Sequence, residues 1–329
     1  MSDATETTAP APWKGRLSLA ALRLCAALPL PWALAVGRLL GRLMWRFAKR
    51  NRLFVECNLA LCLPELSAPE LSAPEREALG REAMENLGMT FAEAAAFWLW
   101  PKHKLDRIPV DVVGGELLER ALAAGRGVLI ALPHLGAWEL INPYLIARAP
   151  FVAMYRPSRL PELDAVMRES RERLGARLVP AGPGGVKSLM KHLNAGGLSI
   201  ILPDQEPELS GGVFAPFFGM QALTATLYSR LLHKTGATPL LAFVERRCVS
   251  GTYRIHFRAA PEAIGDADPL VAASAVNRGV EECVRALPGQ YQWNYKRFST
   301  RPPGKLRPYA LYLKDPKLAW DAMHDATPE

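Results

Sequence analysis

From Val110 onward, short apolar runs alternate with amphipathic stretches, and this alternation restricts the possible folds more than any other feature of the chain. Candidate strands are Val110–Val113, Val128–Leu132, Phe151–Tyr155, Arg177–Pro180, Leu198–Leu202, Thr238–Val244 and Tyr253–Arg258. Candidate helices lie between them at Glu116–Ala124, Trp138–Ala147, Leu160–Leu174, Val186–Asn194 and Leu223–Lys234, with a further one at Pro269–Leu287. Most of these strands are largely apolar, as expected of strands covered on both faces. The last alternates Tyr253, Ile255 and Phe257 with Arg254, His256 and Arg258, so one of its faces is wet. The expectation is an α/β fold: a mixed central sheet flanked by helices.

In open α/β sheets, chemistry gathers at the carboxyl ends of strands. Three runs end in suggestive residues. Val128–Leu132 leads through Pro133 to His134-Leu135-Gly136-Ala137-Trp138-Glu139, a histidine with a carboxylate five positions on. Five positions on one helix are about 140° apart, so the two can meet only if His134 lies in the loop before the helix carrying Glu139. Phe151–Tyr155 leads to Arg156, a natural clamp for phosphate or carboxylate. Leu198–Leu202 leads through Pro203 to Asp204 and Gln205, where Asp204 could bind a donor group or orient Arg156. Each also has an ordinary reading, as a structural histidine, a surface arginine and turn chemistry. Gly182-Pro183-Gly184-Gly185-Val186-Lys187-Ser188 is not a P-loop, because Val186 stands where glycine must precede the lysine; Lys187 faces an anion or water. Gly211–Gly219 carries Phe214, Phe217 and Phe218 with Pro216, a combination unusual in a regular element; an aromatic loop that walls an acyl chain or lies on lipid is one reading, and ordinary core filling is the other. His103, His192, His233, His256 and His324 show no metal-ligand spacing.

The net charge of +8 points to anionic partners. Arg42, Arg46, Lys49, Arg50 and Arg52 cluster without an acid, and every charged residue from Val284 to Lys314 is basic. One cluster flanks an apolar segment, Leu17 to Met44, which favours a membrane surface over nucleic acid. The uncharged stretch Leu24 to Gly37 is shorter than the roughly 20 apolar residues of a full span. A short span or interfacial helix is therefore expected over 17–44, after a disordered tail at 1–16. A signal peptide (Lys14 and Arg16 before the apolar region, Ala33-Leu34-Ala35 as cleavage site) and a buried helix are the other readings, and Pro29 and Pro31 disfavour an uninterrupted helix. A helical region at 45–105, the α/β domain at 106–300 and a tail at 301–329 complete the division. In the helical region, Ser72 is placed to cap a helix with Pro74 in its first turn. The five cysteines, without a CxxC, read as reduced and mostly buried thiols.

Taken in order, these pieces resemble the lipid A biosynthesis acyltransferases, within the wider glycerolipid acyltransferase superfamily. The likeness runs from the apolar N-terminus and Asn58-Leu59-Ala60-Leu61-Cys62-Leu63-Pro64 through the His-x4-Glu, Met154-Tyr155-Arg156-Pro157, Pro203-Asp204-Gln205 and Gly212–Gly219. It closes on Tyr291-Gln292-Trp293 and Arg297-Phe298. Ala137, where the family usually has Asn, Asn294-Tyr295-Lys296, and the tandem Glu-Leu-Ser-Ala-Pro from Glu65 depart from the pattern. The resemblance implies an inner-membrane enzyme on the cytoplasmic side, without a cofactor or metal. It would move a fatty acyl chain from acyl-carrier protein, or coenzyme A, to a hydroxyl of a lipid A precursor. It implies His134 as general base with Glu139 as its partner, and Arg156 and Asp204 in substrate-facing blocks. Gln205, Lys187, Phe214, Phe217 and Phe218 complete the expected substrate contacts. No nucleophilic Ser or Cys motif is present, so direct attack on the thioester is expected. The alternatives are another glycolipid or glycerol phosphate as acceptor, and a catalytically silent membrane-surface binding protein.

Overall fold

The computed structural model describes residues 12–66, 71–155 and 160–315. The helices α1 (Pro12–Ala27), α2 (Leu30–Phe47), α3 (Lys49–Leu66) and α4 (Ala73–Leu99) come first, followed by a single turn, α5 (Lys102–Leu105). Then come β1 (Val110–Val113), α6 (Gly115–Ala123), β2 (Val128–Ala131), a 3-10 turn (Trp138–Leu140), α7 (Ile141–Ile146), β3 (Phe151–Tyr155), α8 (Pro161–Arg173), β4 (Arg177–Pro180), α9 (Pro183–Asn194) and β5 (Leu198–Ile201). The chain continues through β6 (Gly212–Phe217), β7 (Met220–Ala225), α10 (Leu227–Thr235), β8 (Thr238–Cys248), β9 (Thr252–Ala259), α11 (Pro269–Ala286) and α12 (Pro308–Tyr312).

Seven strands form one mixed sheet in the order β1-β9-β8-β2-β5-β3-β4. β8, β2, β5, β3 and β4 run parallel, and β9 reverses against β8. Successive side chains of a strand point to opposite faces, and β2 shows the result. Leu129 and Ala131 join a core with α9, α10 and α11, while Val128 and Ile130 join another with α2, α4, α6 and α7. Both cores close on central strands whose residues are nearly all buried. The edge strand β1 is exposed along most of its length. On β9, Tyr253, Ile255 and Phe257 are buried and the alternating polar residues are partly exposed, as the sequence pattern predicts.

Two sequence expectations are corrected here. The segment 17–44 is not one helix: the chain breaks at Leu28 and Pro29 into α1 and α2. No helix among the described residues is long and apolar enough to cross a membrane. α2 instead lies on α4 at glycines. A Cβ on Gly41 would meet the Met84 carbonyl oxygen at 2.2 Å, and one on Gly88 would meet that of Gly37 at 2.1 Å. Arg38 and Arg42, which interrupt the apolar run, both bind Glu85 of α4, at 2.6 and 2.7 Å. The opposite side of α2 leaves Trp32, Leu39, Leu40, Leu43 and Phe47 exposed.

The second correction concerns the aromatic loop, which is an antiparallel hairpin of β6 and β7. Its two turn residues, Phe218 and Gly219, have φ of +46° and +74°, the backbone of a type I′ turn. A phenylalanine with positive φ is costly. It is held here because its ring is buried 4.8 Å from that of Phe217 and its N–H donates to Glu281 at 2.8 Å. Residues 223–225, assigned from sequence to a helix, belong to β7, and α10 starts at Leu227. α9 starts at Pro183, before the predicted Val186, and the helix predicted from Trp138 opens as a 3-10 turn with α7 beginning at Ile141. The cap predicted at Ser72 is present: the Glu75 carboxylate accepts from both the N–H and the hydroxyl of Ser72, closing the N-terminus of α4.

Candidate active site

His134 lies in the loop just past β2, before the 3-10 turn that carries Glu139. Backbone bonds clamp this loop on both sides. Gly136 N–H donates to Gln290 O at 3.0 Å, Ala137 N–H to Val244 O at 2.9 Å, and Gln292 N–H to His134 O at 3.2 Å. Gly136 makes the clamp possible. Its φ is +63°, and a Cβ there would stand 1.9 Å from the Val244 carbonyl oxygen.

The carboxylate that meets His134 is that of Asp204, just past β5. Asp204 Oδ1 is 2.8 Å from His134 Nδ1, and Oδ2 accepts the His134 backbone N–H at 2.9 Å. β2 and β5 are parallel neighbours, so their carboxyl ends, and the loops that follow, lie side by side. Burial alone would raise the Asp204 carboxyl. The His134 imidazole and the hydrogen bonds from its ring and backbone outweigh burial and hold the carboxyl below its ordinary value. A carboxylate at Nδ1 assigns the proton to that nitrogen and leaves the lone pair on Nε2. The Gln205 amide nitrogen stands 3.3 Å from Nε2, and the Trp138 ring lies edge-on to the imidazole with centroids 5.1 Å apart.

Glu139 does not take the place expected of it beside His134. Its carboxylate accepts from Arg171 at 2.7 and 3.0 Å, from Trp98 Nε1 at 3.2 Å and from Asn142 at 3.2 Å. The 3-10 turn directs it toward α4 and α8, and Asp204 already occupies the imidazole Nδ1. The pairing of His134 with Glu139 is thus replaced by two pairs, His134 with Asp204 and Glu139 with Arg171. All four residues except the buried Asp204 line one cleft of about 380 Å³ at the carboxyl ends of β2, β3 and β5. Gln205 and Asn142 also line it, and Leu132, Met154, Ile201 and Leu227 make much of the rest apolar.

The other expected contacts fare differently. Arg156 lies outside the described residues. Lys187 is exposed on α9 and does not line the cleft. Phe217 and Phe218 are buried in the core with Trp293 and Phe298, and Phe214 is half-buried on β6; none of them lines the cleft. Arg171, Trp98 and Asn142 were given no role from sequence, and Gln292 entered only within the closing motif Tyr291-Gln292-Trp293. Arg171 sits in a run of charged residues, where nothing marks it off from its neighbours. Among the described residues, no group of three or more His, Cys, Asp or Glu could hold a metal ion.

Behind the clamp lies a second buried network. Arg246 of β8 donates to Glu93, to Asn86 Oδ1 at 2.7 Å and to Thr90 Oγ1 at 2.9 Å, all on α4, and Tyr253 donates to Glu93 at 2.8 Å. The Arg246 backbone exchanges hydrogen bonds of 2.9 and 2.8 Å with the Gln290 side chain, and Gln290 O receives Gly136. The histidine loop is therefore braced by charged groups removed from solvent.

The model of the family described as bacterial lipid A biosynthesis acyltransferase matches residues 1–300. The chain is 30% identical over 296 residues to the lipid A biosynthesis lauroyltransferase of Escherichia coli, covering 90% of this chain and 94% of that one. It is 30% identical over 298 residues to the palmitoleoyltransferase of the same organism, with the same coverage. It is 28% identical over 312 residues to the myristoyltransferase, covering 91% of each. The alternating α/β fold, the histidine at the carboxyl end of β2 and these matches together show that the chain belongs to the bacterial lipid A biosynthesis acyltransferase family.

Proposed function

We propose that the protein transfers a fatty acyl chain from a thioester, carried by acyl-carrier protein or coenzyme A, to a hydroxyl of a lipid A precursor. The observation that carries this reading is the His134–Asp204 pair at a partly apolar cleft: with Nδ1 donating to Asp204, Nε2 presents its lone pair. Nε2 takes the acceptor hydroxyl proton as the oxygen attacks the thioester carbonyl carbon. Asp204 fixes the tautomer and stabilises the imidazolium that forms. The N–H groups of Gly136 and Ala137 are committed to Gln290 and Val244. Those of Trp138 and Glu139, at the start of the 3-10 turn, are the candidates to receive the oxyanion. Collapse breaks the C–S bond, the imidazolium returns its proton to the sulfur, and an ester and a free thiol leave. No acyl-enzyme and no cofactor are needed. The Glu139–Arg171 pair walls the cleft and keeps both charges neutralised beside the acyl chain.

The test is thiol release from acyl-carrier-protein thioester on adding acceptor. His134→Ala should lower turnover by about 10²–10⁴-fold, the usual worth of a positioned base, while donor binding survives. Undiminished turnover would remove the scheme.

The same reading places the enzyme on the cytoplasmic face of the inner membrane. Support comes from the row Trp32, Leu39, Leu40, Leu43 and Phe47 along α2, beside Arg46 and Arg50. An exposed apolar helix face flanked by cations suits insertion into an anionic lipid surface. Flotation with anionic vesicles should carry the protein, and Trp32→Ser with Leu40→Ser and Phe47→Ser should release it. Equal flotation of the variant would exclude this face.

A further inference from the structure

Gln205 stands between two recesses. It lines the cleft that holds His134 and also a neighbouring one of about 460 Å³, which Gln292 lines as well. The Gln205 amide nitrogen is 3.3 Å from His134 Nε2 and donates to Gln292 Oε1 at 3.4 Å. Gln292 is itself tied to the histidine loop, through its backbone N–H on His134 O at 3.2 Å.

The chemistry of these atoms fixes the direction of the contact. With the Nδ1 proton held by Asp204 at 2.8 Å, Nε2 is an acceptor. Gln292 Oε1 is an acceptor too, and an amide NH2, with two hydrogens, is a group that satisfies both at once. A neutral imidazole nitrogen carries one lone pair, in the plane of the ring. While Gln205 donates to that lone pair, neither water nor an alcohol can. A base beside a thioester does not by itself tell one hydroxyl from another. Deprotonated water would add to the carbonyl carbon, the C–S bond would break, the imidazolium would return the proton to sulfur, and a free fatty acid and a thiol would leave. The donor would be wasted.

Resting on the acyl-transfer reading above, we propose that Gln205 selects the acceptor over water by capping His134 Nε2 until the acceptor hydroxyl displaces it. An acceptor gains contacts elsewhere in the site that offset the loss of the cap. A water molecule brings no such contacts. On displacement the amide keeps Gln292 and withdraws toward the second recess, so the cap is held ready to close again. Gln205 acts through the base, and its effect is on the partition of the acyl group between ester and acid.

The test is Gln205→Met in the full-length protein, which keeps the reach of the side chain and removes its N–H. Thiol and free fatty acid are followed from acyl-carrier-protein thioester without acceptor, and ester formation is followed with it. A neutral hydrogen bond of ordinary net worth shifts a population by about 2–10-fold. Acceptor-free release should rise by about that factor, with ester formation at saturating acceptor within about threefold of the parent. Adding His134→Ala should return acceptor-free release to background. A merely structural role for Gln205 would slow both reactions together. Unchanged or slower acceptor-free release, or a rise that survives His134→Ala, would overturn the assignment. A second measurement needs neither a variant nor turnover. In the parent protein labelled at histidine and glutamine, NMR should place the Gln205 amide hydrogens beside the His134 ring; amide hydrogens remote from that ring would exclude the cap. If the parent released no thiol with any acceptor, the acyl-transfer reading would fail, and the NMR contact would still decide whether Gln205 holds Nε2.

Discussion

Asp204→Asn is the most informative single change. It keeps volume and removes a charge from a position where Asp204 Oδ1 and Oδ2 make hydrogen bonds of 2.8 and 2.9 Å to one residue. Two losses follow. The amide can present its NH2 to Nδ1, which turns the imidazole to the tautomer with the proton on Nε2, and that nitrogen then cannot accept one. The imidazolium formed during the reaction also loses its counter-charge. Opposite unit charges about 4 Å apart interact by about 4 kcal/mol at an effective dielectric near 20, which corresponds to about three decades in rate. The His134 ring and its hydrogen bonds hold the Asp204 carboxyl below its ordinary value despite burial, so residue 204 stands as a carboxylate beside the ring. Purified Asp204→Asn, assayed by thiol release under saturating donor and acceptor, should lose about 10³-fold in kcat with both KM values within about threefold. Circular dichroism establishes that the variant is folded. Folded protein with kcat within tenfold of the parent would refute the role of Asp204. So would a full loss in Glu139→Gln alongside a mild one in Asp204→Asn, which would return the imidazole partner to Glu139.

Two further predictions test the frame and its thiols. Glu93→Gln strands the Arg246 guanidinium among Asn86, Thr90 and Tyr253, and breaking one partner of a buried pair costs about 3–5 kcal/mol. The melting temperature should fall sharply, and Glu93→Leu with Arg246→Met should recover much of it; equal stability of Glu93→Gln and the parent would contradict the described burial. Cys248 is exposed, and hydrogen bonds from Ser250 and then Thr252 lower its thiol to about 7, whereas burial raises Cys57 and Cys283 to about 12. Iodoacetamide should therefore label Cys248 first, at a rate that climbs as pH rises through about 7, read by peptide mass spectrometry. Preferential labelling of Cys57 or Cys283 in folded protein would contradict this order.

Much of the sheet was legible in the chain because a central strand is an apolar run bounded by turn residues. β1, β3 and β4 have the bounds read from sequence, β2 and β5 end one residue earlier, β9 is one residue longer at each end, and β8 runs on from Val244 to Cys248. The hairpin of β6 and β7 was not legible. Its turn pair, Phe218-Gly219, lacks the Asn-Gly or Asp-Gly signature, and the positive φ at Phe218 is sustained by burial in the core and by Glu281, a contact from a distant part of the chain. The break of α1 from α2 was foreshadowed by Pro29. That α2 folds back on α4 depended on Gly37, Gly41 and Gly88 meeting across a helix pair, which periodicity along one segment cannot express.

The candidate site divides in the same way. Local sequence was enough to set His134 past the end of a buried strand and outside the turn that holds Glu139, because a run such as Val128–Ala131 must end at the sheet edge. Sequence proximity then suggested the wrong neighbour. Glu139 is five residues away and Asp204 is far along the chain, yet the parallel pairing of β2 with β5 sets the loops after them side by side, and Arg171 draws Glu139 aside. Which residues carry chemistry was written in the amino-acid order; which of them touch was decided by strand order, since adjacency in a parallel sheet is set by long-range packing and not by separation along the chain.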